Sequence, residues 1–202
     1  MNNKRPSLIN KLLRRFNILI DSFFGYDFLK VIPLKELNLD PEIVVQGSPS
    51  GNKFLKKLLK SLDIQYNDKI LDIGCAKGSA LRMMLKFPFK NIDGLEISRE
   101  LVEISNRNFQ KLKINRVKIF NENASSFNGY NNYKYFYLYN PFPEKIFKKV
   151  IERINKQVEN KEIFIIYNNP VCHDLLINSN FLLVEKFPDA WGNGINLYKK
   201  SF

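Results

Sequence analysis

Short apolar runs alternate with amphipathic stretches through most of this 202-residue chain, and that alternation constrains its fold more than any other feature. Residues 69–74 are a short apolar run closed by Gly74, and residues 80–86 follow with helical character. The unit then repeats. A second strand is expected over 91–97 and a helix over 99–111; third and fourth strands are expected over 117–121 and 133–139. Residues 143–157 place Ile146, Phe147, Val150, Ile151 and Ile154 at helical spacing. A fifth strand over 162–167 and a short helix over 171–178 come next, and 181–187 and 195–200 close the chain as strands. Strands joined through helices need right-handed crossovers, which put parallel strands in one sheet covered on both faces. The last two strands lack a crossover helix and are expected to form an antiparallel hairpin at one edge. The fold class is therefore α/β, an open, doubly wound, mostly parallel sheet of about seven strands with an antiparallel C-terminal hairpin.

The N-terminal quarter differs. Residues 7–29 carry Leu8, Leu12, Phe16, Leu19 and Phe23 at three- and four-residue steps, with Lys11, Arg14 and Arg15 off that stripe. Pro33 and the stretch 38–41 break the pattern, Ser48-Pro49-Ser50-Gly51 reads as a turn, and a helix follows over 52–62. This divides the chain into an N-terminal helical extension and lead-in, 1–49, and an α/β domain, 50–202. Two readings of the basic helix stay open: packing on its own domain, which the polar Asn10, Asn17 and Asp21 favour, or peripheral contact with an anionic membrane.

With 45% hydrophobic residues the chain is too apolar to be disordered, yet no stretch reaches the roughly 18–20 apolar residues of a membrane-spanning helix. Two cysteines, Cys75 and Cys172, cannot build a disulfide scaffold, and the basic start lacks a secretory cleavage site, so a soluble, cytoplasmic protein is expected. The net charge of +12 attracts polyanions. The lysines are dispersed, however, and no basic run exceeds two adjacent cations, so nucleic acid is not the favoured partner.

The chemistry gathers at strand ends, where open α/β sheets bind ligands. The first strand runs into Asp72-Ile73-Gly74-Cys75-Ala76-Lys77-Gly78-Ser79, a tight loop of small residues over which a bulky group can lie. Its spacing matches neither the phosphate-binding GxxxxGK[ST] loop nor the GxGxxG dinucleotide turn. The second strand ends in Glu96-Ile97, where a carboxylate can accept both hydroxyls of a free ribose.

Together ILDIGCAKGSA, the Glu-tipped second strand and the third-strand end Asn121-Glu122-Asn123-Ala124 resemble the class I S-adenosylmethionine-dependent methyltransferases, over roughly residue 50 to the C-terminus. The resemblance implies a Rossmann-like domain and S-adenosylmethionine as cofactor, with S-adenosylhomocysteine as product and no metal. By the same resemblance Asp72, Gly74 and Gly78, with the adjoining Cys75, Ala76 and Ser79, face the methionine part; Glu96 and Ile97 hold the ribose; and Asn123 and Ala124 flank the adenine. Two positions depart from the family pattern. Ala76 replaces the usual middle glycine, so its methyl group is expected to impose a negative φ or to need more room. Asn123 replaces a frequent aspartate; its carbonyl oxygen can still accept from the adenine amino group, and its NH₂ can also donate.

The fourth strand ends in Tyr139-Asn140-Pro141-Phe142-Pro143, which partly resembles the (Asp/Asn/Ser)-Pro-Pro-(Tyr/Phe) element of amino-methylating members, with proline and aromatic in the wrong order. On that reading Asn140 and Tyr139 touch the reacting groups, and Asn140 also the cofactor; alternatively the prolines simply start the next helix. The lone histidine, His173, follows the fifth strand and is either a base for the acceptor or a capping residue. Cys172 and His173 are too few for a zinc site, and Cys75 reads as a small apolar packing residue. The function expected is methyl transfer to an amine nitrogen, on a protein or small molecule, in preference to an oxygen. Gln46-Gly47-Ser48-Pro49-Ser50 supports it through a faint resemblance to the lead-in of lysine-directed bacterial methyltransferases. The alternative is a catalytically weak or inactive Rossmann-like binding protein whose basic surface grips RNA or an anionic membrane.

Overall fold

The computed structural model describes residues 8–188 and 193–200. Helix α1 (Leu8–Phe23) is shorter than its periodicity implies, and Ser7, the expected start, lies outside the described residues. Gly25 ends it. At φ +73° this glycine adopts the left-handed turn that closes a helix, with its N–H donating to Ser22 O at 2.9 Å and Tyr26 N–H donating to Asp21 O at 2.8 Å. The chain beyond it is irregular but anchored: Phe28 is buried, its ring 5.5 Å from that of Phe109.

Thirteen further elements follow among the described residues, with α2 (Lys53–Ser61), β1 (Lys69–Ile73), α3 (Ser79–Met84), β2 (Asn91–Glu96), α4 (Arg99–Lys111) and β3 (Ile119–Asn121) first. Next come a 3-10 turn at Tyr130–Asn132, which the sequence did not announce, and β4 (Tyr135–Tyr139). The chain closes with α5 (Glu144–Gln157), β5 (Ile163–Asn168), α6 (His173–Asn178), β6 (Leu182–Phe187) and β7 (Ile195–Lys200). Local chemistry sets the helix starts. Asn52 caps α2 by accepting from Phe54 N–H and Leu55 N–H, and Ser98 caps α4 by accepting from Leu101 N–H.

All seven strands join one sheet in the order β3-β2-β1-β4-β5-β7-β6. The first five are parallel; β7 runs antiparallel to both β5 and β6, so the expected hairpin is present with its second strand beside β5 and its first at the edge. The strand YFYLY shows why the sheet is covered twice: Tyr135 and Tyr137 enter the layer beneath α2 and α3, whereas Phe136 and Leu138 enter the layer beneath α5. Strand order reverses between β1 and β4, which opens a crevice beyond their carboxyl ends.

The apolar stripe of α1 does not pack on the domain. Leu12, Phe16, Leu19 and Phe23 are all exposed, Phe23 to 85%. The helix is held at its far end instead, through Asp21, whose carboxylate accepts from Phe28 N–H and from Arg82 Nη1. Arg82 in turn lies 4.8 Å from the Phe28 ring centroid. No helix among the described residues is long and apolar enough to cross a membrane.

Candidate cofactor and acceptor site

A cavity of about 1100 Å³ of empty space, its open mouth included, lies at the point where strand order reverses. Asp72, Gly74, Cys75, Ala76, Ser79, Glu96, Ile97, Asn123, Ala124 and Tyr139 all line it, as their places at strand ends predict. Gly78, Asn140 and His173 are not among its lining residues.

The β1 loop is built by two close approaches. Gly74 sits at φ +81°, and a Cβ there would stand 2.6 Å from the Pro141 Cβ. Gly78 sits at φ +86° where a Cβ would strike Phe109 and Ser105, so this glycine seats the loop on α4 rather than facing the cavity. Ala76 corrects an expectation: it keeps a positive φ, +46°, despite its methyl group. The reason is its N–H, which in this conformation donates to Glu96 Oε2 at 2.9 Å. Cys75 is buried beneath the loop, and burial pushes its thiol pKa well up, aided by the charges of Asp72 and Glu96; it is a packing residue rather than a thiolate.

Two carboxylates on neighbouring strands face this space. Burial raises the Asp72 pKa well above the usual carboxyl range, and the Glu96 charge adds to the effect. Burial also raises Glu96, partly opposed by the N–H groups of Ser98 and Ala76 that donate to its two oxygens, each at 2.9 Å. A carboxylate has about four lone-pair sites, so Glu96 keeps acceptor capacity toward the cavity. Asn121 ties the neighbouring tip down by donating to the Glu96 and Ile97 carbonyls. Of the two roles open to the Asn123 amide, its local bonds leave one. Asn123 Oδ1 already accepts the Ser125 N–H and hydroxyl, at 2.9 and 2.8 Å, which leaves its NH₂ to serve a ligand as donor.

The β4 tip is different. Asn140 Oδ1 accepts the Tyr167 hydroxyl at 3.0 Å, and the Pro141 carbonyl accepts Val45 N–H at 2.9 Å. Each of these two acceptors already has one partner within the chain, and Asn140 stands outside the cavity lining. His173 is farther from the expected role: its Nδ1 is 2.7 Å from the Tyr198 hydroxyl at the start of α6, which makes it a structural partner of β7.

The opposite wall comes from the N-terminal quarter, whose individual lining residues the sequence did not single out. Residues 28–50 supply a large part of the cavity lining, including Val31, Ile32, Leu34, Ile43 and Val45. Gln46 folds this segment on itself, accepting from Leu34 N–H and donating to Ile32 O. Gly51 is needed where the segment meets α3, since a Cβ there would stand 2.0 Å from the Ser79 carbonyl oxygen. Lys77, buried inside the β1 loop, pairs with Asp27 at 2.6 Å. The small loop around Lys77 hinted at a partner; the 50-residue separation hid which one.

No protein-family model matches the chain. A stretch of 101 residues is 29% identical to ribosomal RNA small subunit methyltransferase A of Malacoplasma penetrans, covering 50% of this chain and 36% of that protein. The chain thus spans about a third of the length of the curated relative it matches. Among solved structures, a SAM-dependent methyltransferase from Aquifex aeolicus superposes with a TM-score of 0.55 at 13% identity, over 72% of this chain and 87% of that one. A ribosomal protein L11 methylase from Lactobacillus delbrueckii gives 0.56 at 14% identity, over 81% and 83%. Magnesium protoporphyrin IX methyltransferase from Synechocystis, solved with bound SAM, gives 0.57 at 12% identity, over 73% and 78%. Sheet order, terminal hairpin and these superpositions agree: the chain has the fold of the class I S-adenosylmethionine-dependent methyltransferases.

Proposed function

We propose that the chain is an S-adenosylmethionine-dependent methyltransferase acting on an amine nitrogen of a small molecule or a protein side chain. One observation carries the reading: two buried carboxylates, Asp72 and Glu96, stand on adjacent strand tips beside a bend that only glycine allows at position 74. The residues present fit the cofactor by the chemistry of their donor and acceptor sets. Both carboxyls are raised by burial, so the site favours a ligand bringing hydroxyl donors and positive charge. Glu96 would accept the ribose hydroxyls, Asp72 would face the charged methionine end, Asn123 NH₂ would donate to the adenine, and Ile97 and Ala124 would bound the ring. S-adenosylmethionine, when bound, supplies a methyl group already activated by a sulfonium charge.

The protein's own part is positioning and exclusion of water. The segment 28–50 and Phe142 build an apolar wall opposite the carboxylates, which suits a compact acceptor. A neutral amine attacks through its lone pair and needs no base before transfer, in keeping with the absence of histidine from the cavity lining. Asn140 lies outside the cavity lining and accepts from Tyr167, which favours such an amine over a planar amino group held by this side chain and speaks against a catalytic role for it. A second reading, an RNA acceptor, draws on the +12 charge and on the name of the curated relative. It requires a steep fall of log K with log salt concentration in RNA binding.

Titration calorimetry with S-adenosylhomocysteine tests the central reading. Micromolar binding is expected, with Glu96→Ala weakening it by about 10- to 100-fold, the worth of charge-assisted hydrogen bonds. Asn140→Ala should leave affinity within about twofold, because its side chain serves Tyr167. No heat from the unaltered chain would overturn the proposal.

A further inference from the structure

We infer that α1 is a docking element for an anionic lipid surface, lying in the membrane interface on its apolar face. At about 100° per residue, Leu12, Leu13, Phe16, Leu19, Ile20 and Phe23 fall within one arc of roughly 120°, and all are exposed. Asp21 and the half-buried Ile18 lie on the other side, where Asp21 is 5% exposed and fixed by Phe28 N–H and Arg82. The helix meets the protein at Asp21, on the side away from the apolar stripe, and the stripe itself faces outward. Scattered exposed leucines are ordinary; a continuous stripe that ends in the paired rings of Phe23 and Phe24, 5.4 Å apart, marks a surface awaiting a partner.

Charge selects the partner. Residues 1–23 hold Lys4, Arg5, Lys11, Arg14 and Arg15 against the single acid Asp21, which is already engaged by Arg82. Arg14 and Arg15 are both exposed; at about 100° per residue Arg15 flanks the apolar arc, placed to reach phosphate, while Arg14 lies on the opposite side and adds to the positive field of the helix. A second copy docked on the same face would bring a like cationic helix alongside with no free acid to meet it. An anionic headgroup layer supplies that complement along the whole helix. Length sets the mode: 16 residues rise about 24 Å, short of a hydrocarbon core of about 30 Å, and the helix carries charges, so it lies in the surface plane.

Vesicle co-sedimentation of the full chain tests this, with phosphatidylcholine vesicles compared against vesicles in which a third of the lipid is phosphatidylserine. Pelleting is expected only with the anionic vesicles, and should weaken as salt rises. The double variant Phe16→Asp, Leu19→Asp should abolish it, and Arg14→Glu with Arg15→Glu should weaken it by about tenfold or more. These side chains are exposed, so circular dichroism and S-adenosylhomocysteine binding should stay as in the unaltered chain. Failure of the unaltered chain to pellet overturns the inference, as does pelleting that survives the apolar-face variant. A dimer by light scattering that becomes monomeric in the apolar-face variant, with no vesicle binding in either, assigns the face to a second copy instead.

Discussion

The tips of β1 and β2 and the tip of β4 meet at the same cavity with different chemistry. On the first side, Asp72 and Glu96 are buried with acceptor capacity to spare, and their raised pKa values record what it costs to keep them charged without a ligand. On the second, the groups are uncharged: Asn140 lies outside the lining and accepts from Tyr167, and the Pro141 carbonyl accepts from Val45. One side is arranged for an incoming molecule; the other is arranged to hold the chain's own segment 28–50 against the cavity. On the proposed reading, a cofactor would be placed by the buried carboxylates and an acceptor by the shape of the apolar wall.

The seam between the two sides is Gly74, whose φ of +81° and 2.6 Å approach to Pro141 leave no room for a side chain. Gly74→Val should give the largest effect of any single change in the site. A β-branched residue in left-handed backbone costs about 1–2 kcal/mol before any clash, and displacing Pro141 brings the loss to about 3 kcal/mol or more. Chemical denaturation measures that loss, and calorimetry should show S-adenosylhomocysteine binding gone. Retained binding would mean that the two tips move independently.

Asp72 sharpens the comparison through pH. Its folded pKa lies above the ordinary carboxyl value, so the native state keeps a proton that the unfolded chain has released at the same pH. The unliganded protein therefore loses stability from this group as pH climbs from the ordinary carboxyl range to the raised value, and recovers it as pH falls. Asp72→Asn should remove that dependence and stabilise the unliganded chain at neutral pH by about 1–2 kcal/mol, while weakening cofactor binding. Subtracting the denaturation-midpoint profiles of the two proteins across pH isolates the group. A variant less stable than the parent at neutral pH would show that Asp72 serves the fold rather than a ligand.

The sheet and the carboxylate side of the cavity were legible in sequence because their signals are local. Alternating periods set the elements, and small residues after a strand followed by an acid at the next strand tip set the cradle. What stayed hidden was non-local. Whether Asn140 is free depends on Tyr167, and whether Lys77 is solvated depends on Asp27. The direction of the α1 stripe could not be read from periodicity, which gives the width of an apolar face and not what lies opposite it. Gly25 was legible and overlooked, as the stop that shortens α1.

Ala76 yields the smallest effect and tests whether the cradle was shaped by a ligand or by packing. It holds φ +46°, a conformation that costs a non-glycine residue about 1–2 kcal/mol, and it holds it while donating its N–H to Glu96. Ala76→Gly relieves that strain, but glycine gains about 0.4–1 kcal/mol of freedom in the unfolded chain. The balance should be a stabilisation of about 1 kcal/mol or less, seen as a rise of a few degrees in melting temperature. The methyl group stands near Gly47 on the opposite wall, with 3.7 Å from its carbon to a Cβ built at that glycine. Removing it should widen the cavity there while the N–H bond to Glu96 persists, so cofactor affinity should hold or improve slightly. Weaker binding by Ala76→Gly would mean that the strained alanine is itself part of what orients Glu96.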